Sequence, residues 1–421
     1  MRVLLVGQGG REHALAWGLA RSARVDSLVV APGNAGTAEL AENRAVDPGD
    51  VRGMVDLALA VRADLVVVGP EAPLVDGLVD ELEAAGIAAF GPRRDAARIE
   101  GSKAWAKEVC ERGGVPVARS RTFTALGEAT AYLDELPPPF VVKADGLAAG
   151  KGVVVTDDRD EAMRALKASL VDRVFGEAGA RVLVEEHLEG REVSAFALTD
   201  GKTVLPLVLA RDYKRALDGD LGPNTGGMGA HSPVPFAEPH RPAIEAILRD
   251  SVAGMAASGI EYRGLLYAGL MLTADGPKVL EFNCRFGDPE TQVLVPRLAS
   301  DLAEALEAAA TGRLSEVTLR WSPEACVTVV LASGGYPGAY ATGLPIDGLE
   351  DAAALPGAHV FHAGTDRREG RVVTAGGRVL AVSGLGPDLA DARRRAYEAC
   401  SLLSFDGMHH RRDIAKEVAG G

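Results

Sequence analysis

Two stretches of this sequence carry more chemistry than a core needs. In Val279-Leu280-Glu281-Phe282-Asn283-Cys284-Arg285-Phe286-Gly287-Asp288-Pro289-Glu290-Thr291-Gln292, an apolar strand runs into a dense set of polar side chains. Strand alternation puts Glu281 and Asn283 on one face, opposite Phe282. A carboxylate and an amide oxygen two positions apart suit a hard cation such as Mg²⁺. Arg285 falls two positions further along the same face, where a guanidinium would neutralise charge moving onto transferred phosphoryl oxygens. The competing reading is a surface ion-pair network, and the variety of polar types at the end of one strand argues against it.

The second stretch, Phe140-Val141-Val142-Lys143-Ala144-Asp145-Gly146-Leu147-Ala148-Ala149-Gly150-Lys151-Gly152-Val153, joins a strand to a small-residue loop and then to another strand. Glycines let backbone N–H groups approach closely, and successive N–H groups form a concavity for phosphates. Lys143, at the end of its strand, can hold phosphate charge that the loop amides leave unneutralised. The P-loop pattern is absent, because Gly152 rather than Ser or Thr follows Lys151 and a strand follows the loop. The competing reading is an exposed hairpin turn.

Three further segments gain meaning from this company. In Val182-Leu183-Val184-Glu185-Glu186-His187-Leu188-Glu189-Gly190-Arg191-Glu192 a strand enters a turn and a second strand follows. An adenine could lie between two such sheets, bonded to the main chain of the turn, with Glu192 taking both ribose hydroxyls. Surface charge explains these acids equally well when they are taken alone. Ala210-Arg211-Asp212-Tyr213-Lys214-Arg215 is followed by Gly222-Pro223-Asn224-Thr225-Gly226-Gly227-Met228-Gly229, whose glycines suggest a mobile loop offering donors to a substrate. A flexible surface turn is the alternative. At the amino terminus Gly7-x-Gly9 invites a dinucleotide reading, but the third fingerprint glycine would fall at Glu12, and Ala31-Pro32 stands where a ribose-binding acid is expected. NAD is therefore disfavoured. A phosphate near Gly9, Gly10 and the start of the following helix remains reasonable, since helix amino termini attract anions. His13 and the His409-His410 pair read as structural or solvated, and no Ser/His/Asp or Cys/His order has supporting context.

The elements that must position these groups follow from pattern. Apolar runs at 3–6, 27–31 and 65–68 alternate with helix-like stretches at 11–22 and 51–62, which predicts a parallel sheet covered by helices with Gly/Pro loops at its strand ends. In such a sheet ligands bind outside the carboxyl ends of the strands. A helix is expected over 95–112, and Pro137-Pro138-Pro139 forces a new start for the strand at 140–143. Strands are expected at 152–156, 181–185, 192–198, 203–210, 264–272 and 278–282, with helices near 158–171 and 238–258. A Gly-containing β-rich unit over 325–385 closes with an amphipathic helix near 388–403. At 421 residues the chain exceeds a single core and should form two to four units.

Composition narrows the function class. The formal charge of −14 gives no net attraction to nucleic acid or an anionic membrane, so an anionic substrate must be met by local donors. Cys110, Cys284, Cys326 and Cys400 are scattered without metal-ligand or disulfide-framework spacing, which suggests a reducing compartment. A strand begins at once at residues 1–5, with no leader-like apolar region, so the expected location is the cytoplasm.

At this point the residues carry a resemblance. The chain resembles the phosphoribosylamine–glycine ligase family, also called glycinamide ribonucleotide synthetases, within the ATP-grasp superfamily. The likeness spans essentially the whole chain, through Gly7-Gln8-Gly9-Gly10-Arg11-Glu12-His13-Ala14, residues 31–37 and 69–74, Gly101-Ser102-Lys103, and residues 143–153, 222–229 and 285–292. The last, Arg285-Phe286-Gly287-Asp288-Pro289-Glu290-Thr291-Gln292, looks like the signature of the family. The resemblance implies an α/β and α+β multidomain chain. An N-terminal open parallel α/β (pre-ATP-grasp) domain would span 1–100, a linking helix 101–120 and an ATP-grasp lid 121–189. The central ATP-grasp domain would span 190–323, and a C-terminal β-rich domain 324–421.

It also implies site roles. Lys103 and Lys143 would contact ATP phosphates beneath a loop of Ala148, Ala149, Gly150, Lys151, Gly152 and Val153. Glu185, Glu186, His187 and Leu188 would meet adenine and Glu192 the ribose. Glu281 and Asn283 would hold Mg²⁺ or Mn²⁺, and Arg285, Lys143 and Asp288 would serve catalysis. Phosphoribosylamine and glycine would meet Gly9, Gly10, Arg11, Glu12, Gly33, Asn34, Glu71, Asp212, Lys214, Asn224, Thr225, Gly226, Gly227 and Pro289. The implied reaction joins glycine to 5-phosphoribosylamine with ATP as co-substrate, on the way to purine nucleotides. The implied partners are these small molecules alone, with no nucleic acid or membrane, and the chain a monomer or small homo-oligomer. One departure from the wider superfamily stands out: residues 264–271 offer no carboxylate for a second metal ligand. The rival readings are another ATP-grasp ligase or carboxylase, a non-catalytic nucleotide sensor, and a dehydrogenase.

Overall fold

The computed structural model describes residues 1–146 and 152–419. Its first unit is a five-stranded parallel sheet in the order Glu42–Asn43, Ser27–Pro32, Arg2–Gly7, Leu65–Val68, Ala88–Phe90. The first strand is apolar at every position from Val3 to Val6, as a strand covered on both faces must be. Leu4 and Val6 pack with Met54 and Leu78 on one side, while Val3 and Leu5 pack with Leu15, Leu19 and Leu306 on the other. The carboxyl ends of these strands therefore open toward the rest of the chain.

A small antiparallel sheet follows, ordered Ser120–Phe123, Val182–Glu185, Phe140–Ala144, Val153–Thr156. The helices Leu126–Leu133 and Arg159–Leu170 cover one face of it around Ala129, Leu133, Val142 and Leu166. A second antiparallel sheet, Val204–Pro206, Arg191–Asp200, Arg263–Thr273, Gly276–Asn283, carries the metal-type residues on its last strand. Its register sets Glu281 opposite Gly269 and Asn283 opposite Tyr267, with a bulge at Leu280.

The fourth large sheet is ordered Arg211–Asp212, Gly229–Ser232, Ala325–Ala332, Arg378–Gly386, Ala358–His362, and is covered by the helix Leu389–Leu402. It joins the 211–232 segment to the C-terminal strands, which the sequence pattern had not indicated.

Three local expectations change. The helix expected over 95–112 is two, Arg94–Gly101 and Lys103–Gly113, because Ser102 is extended and its hydroxyl accepts the N–H of Trp105 at 3.2 Å, capping the second. The strand expected over 203–210 is only Val204–Pro206, since Pro206 brings no N–H to continue a ladder. The Gly-rich segment 222–229 is a built structure rather than a mobile loop: Leu221–Asn224 pairs with Arg215–Leu217, and Gly229 begins the next strand. Among the described residues no helix is long and apolar enough to cross a membrane.

Candidate active site

Lysines and a buried acid organise the side of the cleft expected to hold ATP. Lys143 is the fourth residue of the strand Phe140–Ala144, buried at all five positions, and its Nζ lies 2.8 Å from Glu185 Oε2 while donating to the Leu280 carbonyl at 3.2 Å. Lys107, on the helix Lys103–Gly113, takes the other oxygen of Glu185 at 3.0 Å. Glu185 is only 3% exposed; burial pushes its carboxyl up, but Lys143 and Lys107 outweigh that and hold it below the usual range. Its side chain is thus committed to two ammonium groups; the Glu186 N–H donates to the Arg119 carbonyl at 2.9 Å, leaving the Glu186 carbonyl and the main chain at His187 and Leu188 for any adenine. Glu186 itself pairs with Arg119 at 2.7 Å.

Lys103 stands at the start of its helix with Nζ donating to the Gly146 carbonyl at 3.2 Å, and burial lowers its pKa. The tether is double, because Asp145 accepts from Ala104 N at 2.7 Å and gives its carbonyl to Lys103 N at 3.1 Å. Gly152 and Val153 return the chain beside Ala144 and Lys143. Ala148, Ala149, Gly150 and Lys151 lie outside the described residues.

On the next sheet Glu281 and Asn283 are both half-buried and flank the buried Phe282, as alternation requires. Lys214 Nζ lies 3.4 Å from Glu281 and 3.1 Å from Glu192, tying the metal-type acid to the ribose-type acid. Lys214 first, then Lys143 and Lys103, hold the Glu281 carboxyl below its ordinary pKa against the effect of burial. An ionised carboxylate beside an amide oxygen fits a hard cation that keeps part of its water shell. Opposite Glu281, Gly269 leaves room: a Cβ there would lie 3.2 Å from Glu281 Cγ. Among the described residues no cluster of three or more His, Cys, Asp or Glu forms a metal cage. Asp212, close to this group, is pushed up to about 8, by burial chiefly and by Glu290, Glu192 and Glu281, against the pull of Lys214.

Arg285 does not continue the strand face as expected. The strand ends at Asn283, and the guanidinium turns to Glu71 (Nε to Oε2, 3.1 Å) and Glu100 (Nη2 to Oε1, 3.2 Å). Burial works against its charge, yet these two acids keep its pKa above the ordinary arginine value; burial pushes Glu71 up, but Arg285 with Arg11 outweighs it and holds Glu71 down to about 2.

Beyond Arg285 the chain meets the amino-terminal loops. A Cβ on Gly10 would lie 2.6 Å from Gln292 Nε2, so a side chain there would force Gln292 to move, and one on Gly9 would be in ordinary contact with Asp288 Oδ2 at 3.4 Å. Asp288 accepts from Gln292 at 2.7 Å and pairs with Arg378 at 3.1 Å; Arg378 and Arg11 hold it below the usual range although burial opposes them. Arg378 also donates to the carbonyls of Asp288 (2.7 Å) and Gly226, and Pro289 packs on Gly227. Thr225 ties its loop to the Lys214 carbonyl at 2.8 Å, whereas Asn224 is exposed.

Two expected substrate contacts are otherwise engaged. Asn34 is buried, donates to the carbonyls of Gln8 and His362 at 2.8 Å each, and accepts from Gly36 N and Thr37 N. With its whole amide consumed, it pins the residue 33–37 loop to the C-terminal unit and is not a free donor. Gly33, at φ +73°, approaches Asn43 in that turn. Glu12 accepts the Gly9 N–H at 2.6 Å and pairs with Arg11, its carboxylate filling the space above Gly7 and Gly69. A side chain thus occupies the cradle a dinucleotide phosphate would need, and the Gly9 N–H expected to face phosphate is already satisfied.

With this geometry in view, sequence profiles of phosphoribosylglycinamide synthetase match in chain order: the N domain over 1–100, the ATP-grasp (A) domain over 101–291 and the C domain over 326–417. The chain belongs to the phosphoribosylglycinamide synthetase family. A relative from Streptomyces coelicolor named phosphoribosylamine–glycine ligase is 53% identical, covering 100% of both chains. One of the same name from Vibrio parahaemolyticus is 49% identical over 98% of this chain and 97% of its own. A crystal structure of phosphoribosylamine–glycine ligase from Thermotoga maritima superposes with a TM-score of 0.87 at 35% identity, covering 99% of this chain and 100% of that one. The biotin carboxylase domain of a Hydrogenobacter thermophilus 2-oxoglutarate carboxylase shares the fold, with a TM-score of 0.75 at 18% identity over 97% of this chain and 91% of that one.

Sequence reading of this synthetase-family chain missed Lys107, Glu100 and Arg378. Lys107 lies one helical turn beyond Lys103, which was a usable signal. Glu100 immediately precedes the Gly101-Ser102-Lys103 motif. Arg378 lies in a distant β-strand and gave none.

Proposed function

We propose that this protein ligates glycine to 5-phosphoribosylamine, with ATP cleaved to ADP and phosphate through glycyl phosphate, in the synthesis of purine nucleotides. The observation that carries this reading is the contact of one segment, Arg285 to Gln292, with both sides: it leaves the Glu281–Asn283 strand and ends against Gly9 and Gly10. On this reading the ATP phosphates and the loops of the open α/β sheet share one cleft. Names of the full-length relatives support the same substrates.

A free carboxylate is a poor electrophile. Glycine's carboxylate oxygen attacks the γ-phosphorus of ATP and ADP leaves; the amine of phosphoribosylamine then attacks the carbonyl carbon, and phosphate departs with the former carboxylate oxygen. Lys143 and Lys103 neutralise phosphate charge, Arg285 meets the transferred oxygens, and Arg11, Gly10 and Glu71 border the phosphoribosyl end. Thr225 and the carbonyl-bound Gly226 and Gly227 shape the acceptor side with Asp288 and Pro289. Asp212 and Lys214, beside Glu192 and Glu281, help to position the acceptor amine, whose proton leaves on the departing phosphate. Mg²⁺ or Mn²⁺ bound by Glu281 and Asn283 would supply Lewis-acid charge neutralisation at the phosphates. Positioning and charge neutralisation supply the rate, so no covalent enzyme intermediate is needed. We also infer a cytoplasmic location, supported by four buried free cysteines, and action on small molecules as a monomer or small homo-oligomer. The test is isotopic: glycine labelled with ¹⁸O in its carboxylate should deliver one ¹⁸O to inorganic phosphate per turnover, and unlabelled phosphate would refute the acyl phosphate route.

A further inference from the structure

Glu100 meets Arg285 and the Cys284 main chain without a part in the mechanism above. It lies near the end of the helix Arg94–Gly101, and is the last residue of the N-domain match. Its side chain is 8% exposed, and a carboxylate so buried requires strong partners. It has two, one for each oxygen. Oε1 faces Arg285 Nη2 at 3.2 Å, and Oε2 accepts the N–H of Cys284 at 2.8 Å. A single carboxylate thus grips two consecutive residues just where the chain leaves the Glu281–Asn283 strand.

The other edge of Arg285 is held differently. Its Nε faces Glu71, whose side chain is 35% exposed and which begins the short helix Glu71–Val75 after the strand Leu65–Val68. An arriving phosphoryl group can reach this partly exposed carboxylate and take its place on Arg285. Displacing Glu100 would leave a buried charge unpaired, which is far costlier. The guanidinium therefore has one fixed and one exchangeable carboxylate partner, while its Nη1 donates to the Phe286 carbonyl at 3.2 Å.

We propose that Glu100 is a positioning residue for phosphoryl transfer, fixing the Arg285 guanidinium and the Cys284 main chain so that the edge now against Glu71 is presented to the transferred oxygens. The inference rests on the reading of Arg285 as the partner of those oxygens. A shift in that guanidinium should slow the chemical step while leaving ATP binding to Lys143 and Lys103 intact.

The experiment compares the full-length chain with Glu100→Gln, Glu100→Asp, Arg285→Lys and the Glu100→Gln/Arg285→Lys pair, measuring kcat, KM for ATP and thermal melting. Glu100→Gln is expected to lower kcat more than ten-fold with KM for ATP within three-fold, Glu100→Asp to recover part of the loss, and Glu100→Gln to cost less than three-fold once Arg285 is Lys. Loss of less than ten-fold in Glu100→Gln, a fall in both backgrounds by the same factor, or an effect on KM for ATP alone would overturn the role. If the Gln variant fails to fold, Glu100→Asp decides: lowered kcat at unchanged KM supports it, unchanged kcat overturns it. Wild-type kcat in Arg285→Lys would refute the Arg285 reading itself, a result distinct from any failure of Glu100.

Discussion

Acidification should loosen the seam between the first helix and the C-terminal sheet, and His13 sets how much. His13 is 7% exposed, and its Nδ1 accepts the His362 N–H at 2.7 Å, so the ring is neutral with its proton on Nε2. Protonating Nδ1 would place two N–H groups face to face in a buried site. Burial, followed by the charge of neighbouring His362, takes His13 from 6.5 to about 3, and burial takes His362 to about 4. In the unfolded chain both rings titrate near 6.5, so between there and the folded values the unfolded state binds more protons. This contribution to stability is full above pH 6.5 and is lost as pH falls toward the folded values. At about 1.4 kcal/mol per pH unit, lowering the pH from 6.5 to 4 removes at most about 3 kcal/mol through His13 alone. The assay is thermal melting from pH 7 to 4 with hydrogen exchange in the helix Gly10–Ala20, on wild type and His13→Asn, whose amide oxygen can still accept the His362 N–H. Wild type should lose protection in that helix much more steeply than the variant. Parallel pH profiles would refute the reasoning. The outcome bears on the site, because the His362 carbonyl also anchors Asn34.

Other perturbations follow from the same geometry. Asn34→Ala removes four hydrogen bonds in a buried turn and should cost roughly 2–4 kcal/mol, read as a lowered melting temperature; unchanged melting would show the loop is held otherwise. Glu281→Gln should raise the Mg²⁺ concentration needed for half-maximal rate by about ten-fold or more, as expected when a hard cation loses its one anionic protein ligand, and an unchanged magnesium profile would remove Glu281 from the metal site. Gly69→Ala drives a Cβ into the Glu12 carboxylate and should destabilise the chain by about 1–3 kcal/mol without creating NAD affinity; differential scanning calorimetry and NAD titration check both halves.

How much of this was legible beforehand depends on the range of the signal. The parallel sheet was, because four consecutive apolar residues from Val3 to Val6 mark a strand covered on both faces. So was the facing of Glu281 and Asn283, since alternation survives the bulge at Leu280. Interactions closed by distant parts of the chain were not. Nothing near Asn34 shows that a carbonyl 328 residues away will take its amide hydrogen, and nothing near Arg378 shows that it will bind the main chain at Asp288 and Gly226. Composition misled at 222–229: the glycines there allow close packing on Pro289 and Arg378, where looseness had been expected. Glu12 is the opposite case, because its place in a broken glycine fingerprint argued against NAD before its carboxylate was located.

The central claim is most directly tested by ADP release from the purified protein supplied with ATP, magnesium, glycine and freshly generated phosphoribosylamine, each omitted in turn. Sustained release is expected only from the complete mixture. Release undiminished without phosphoribosylamine, or no release with all four present, would contradict the assignment.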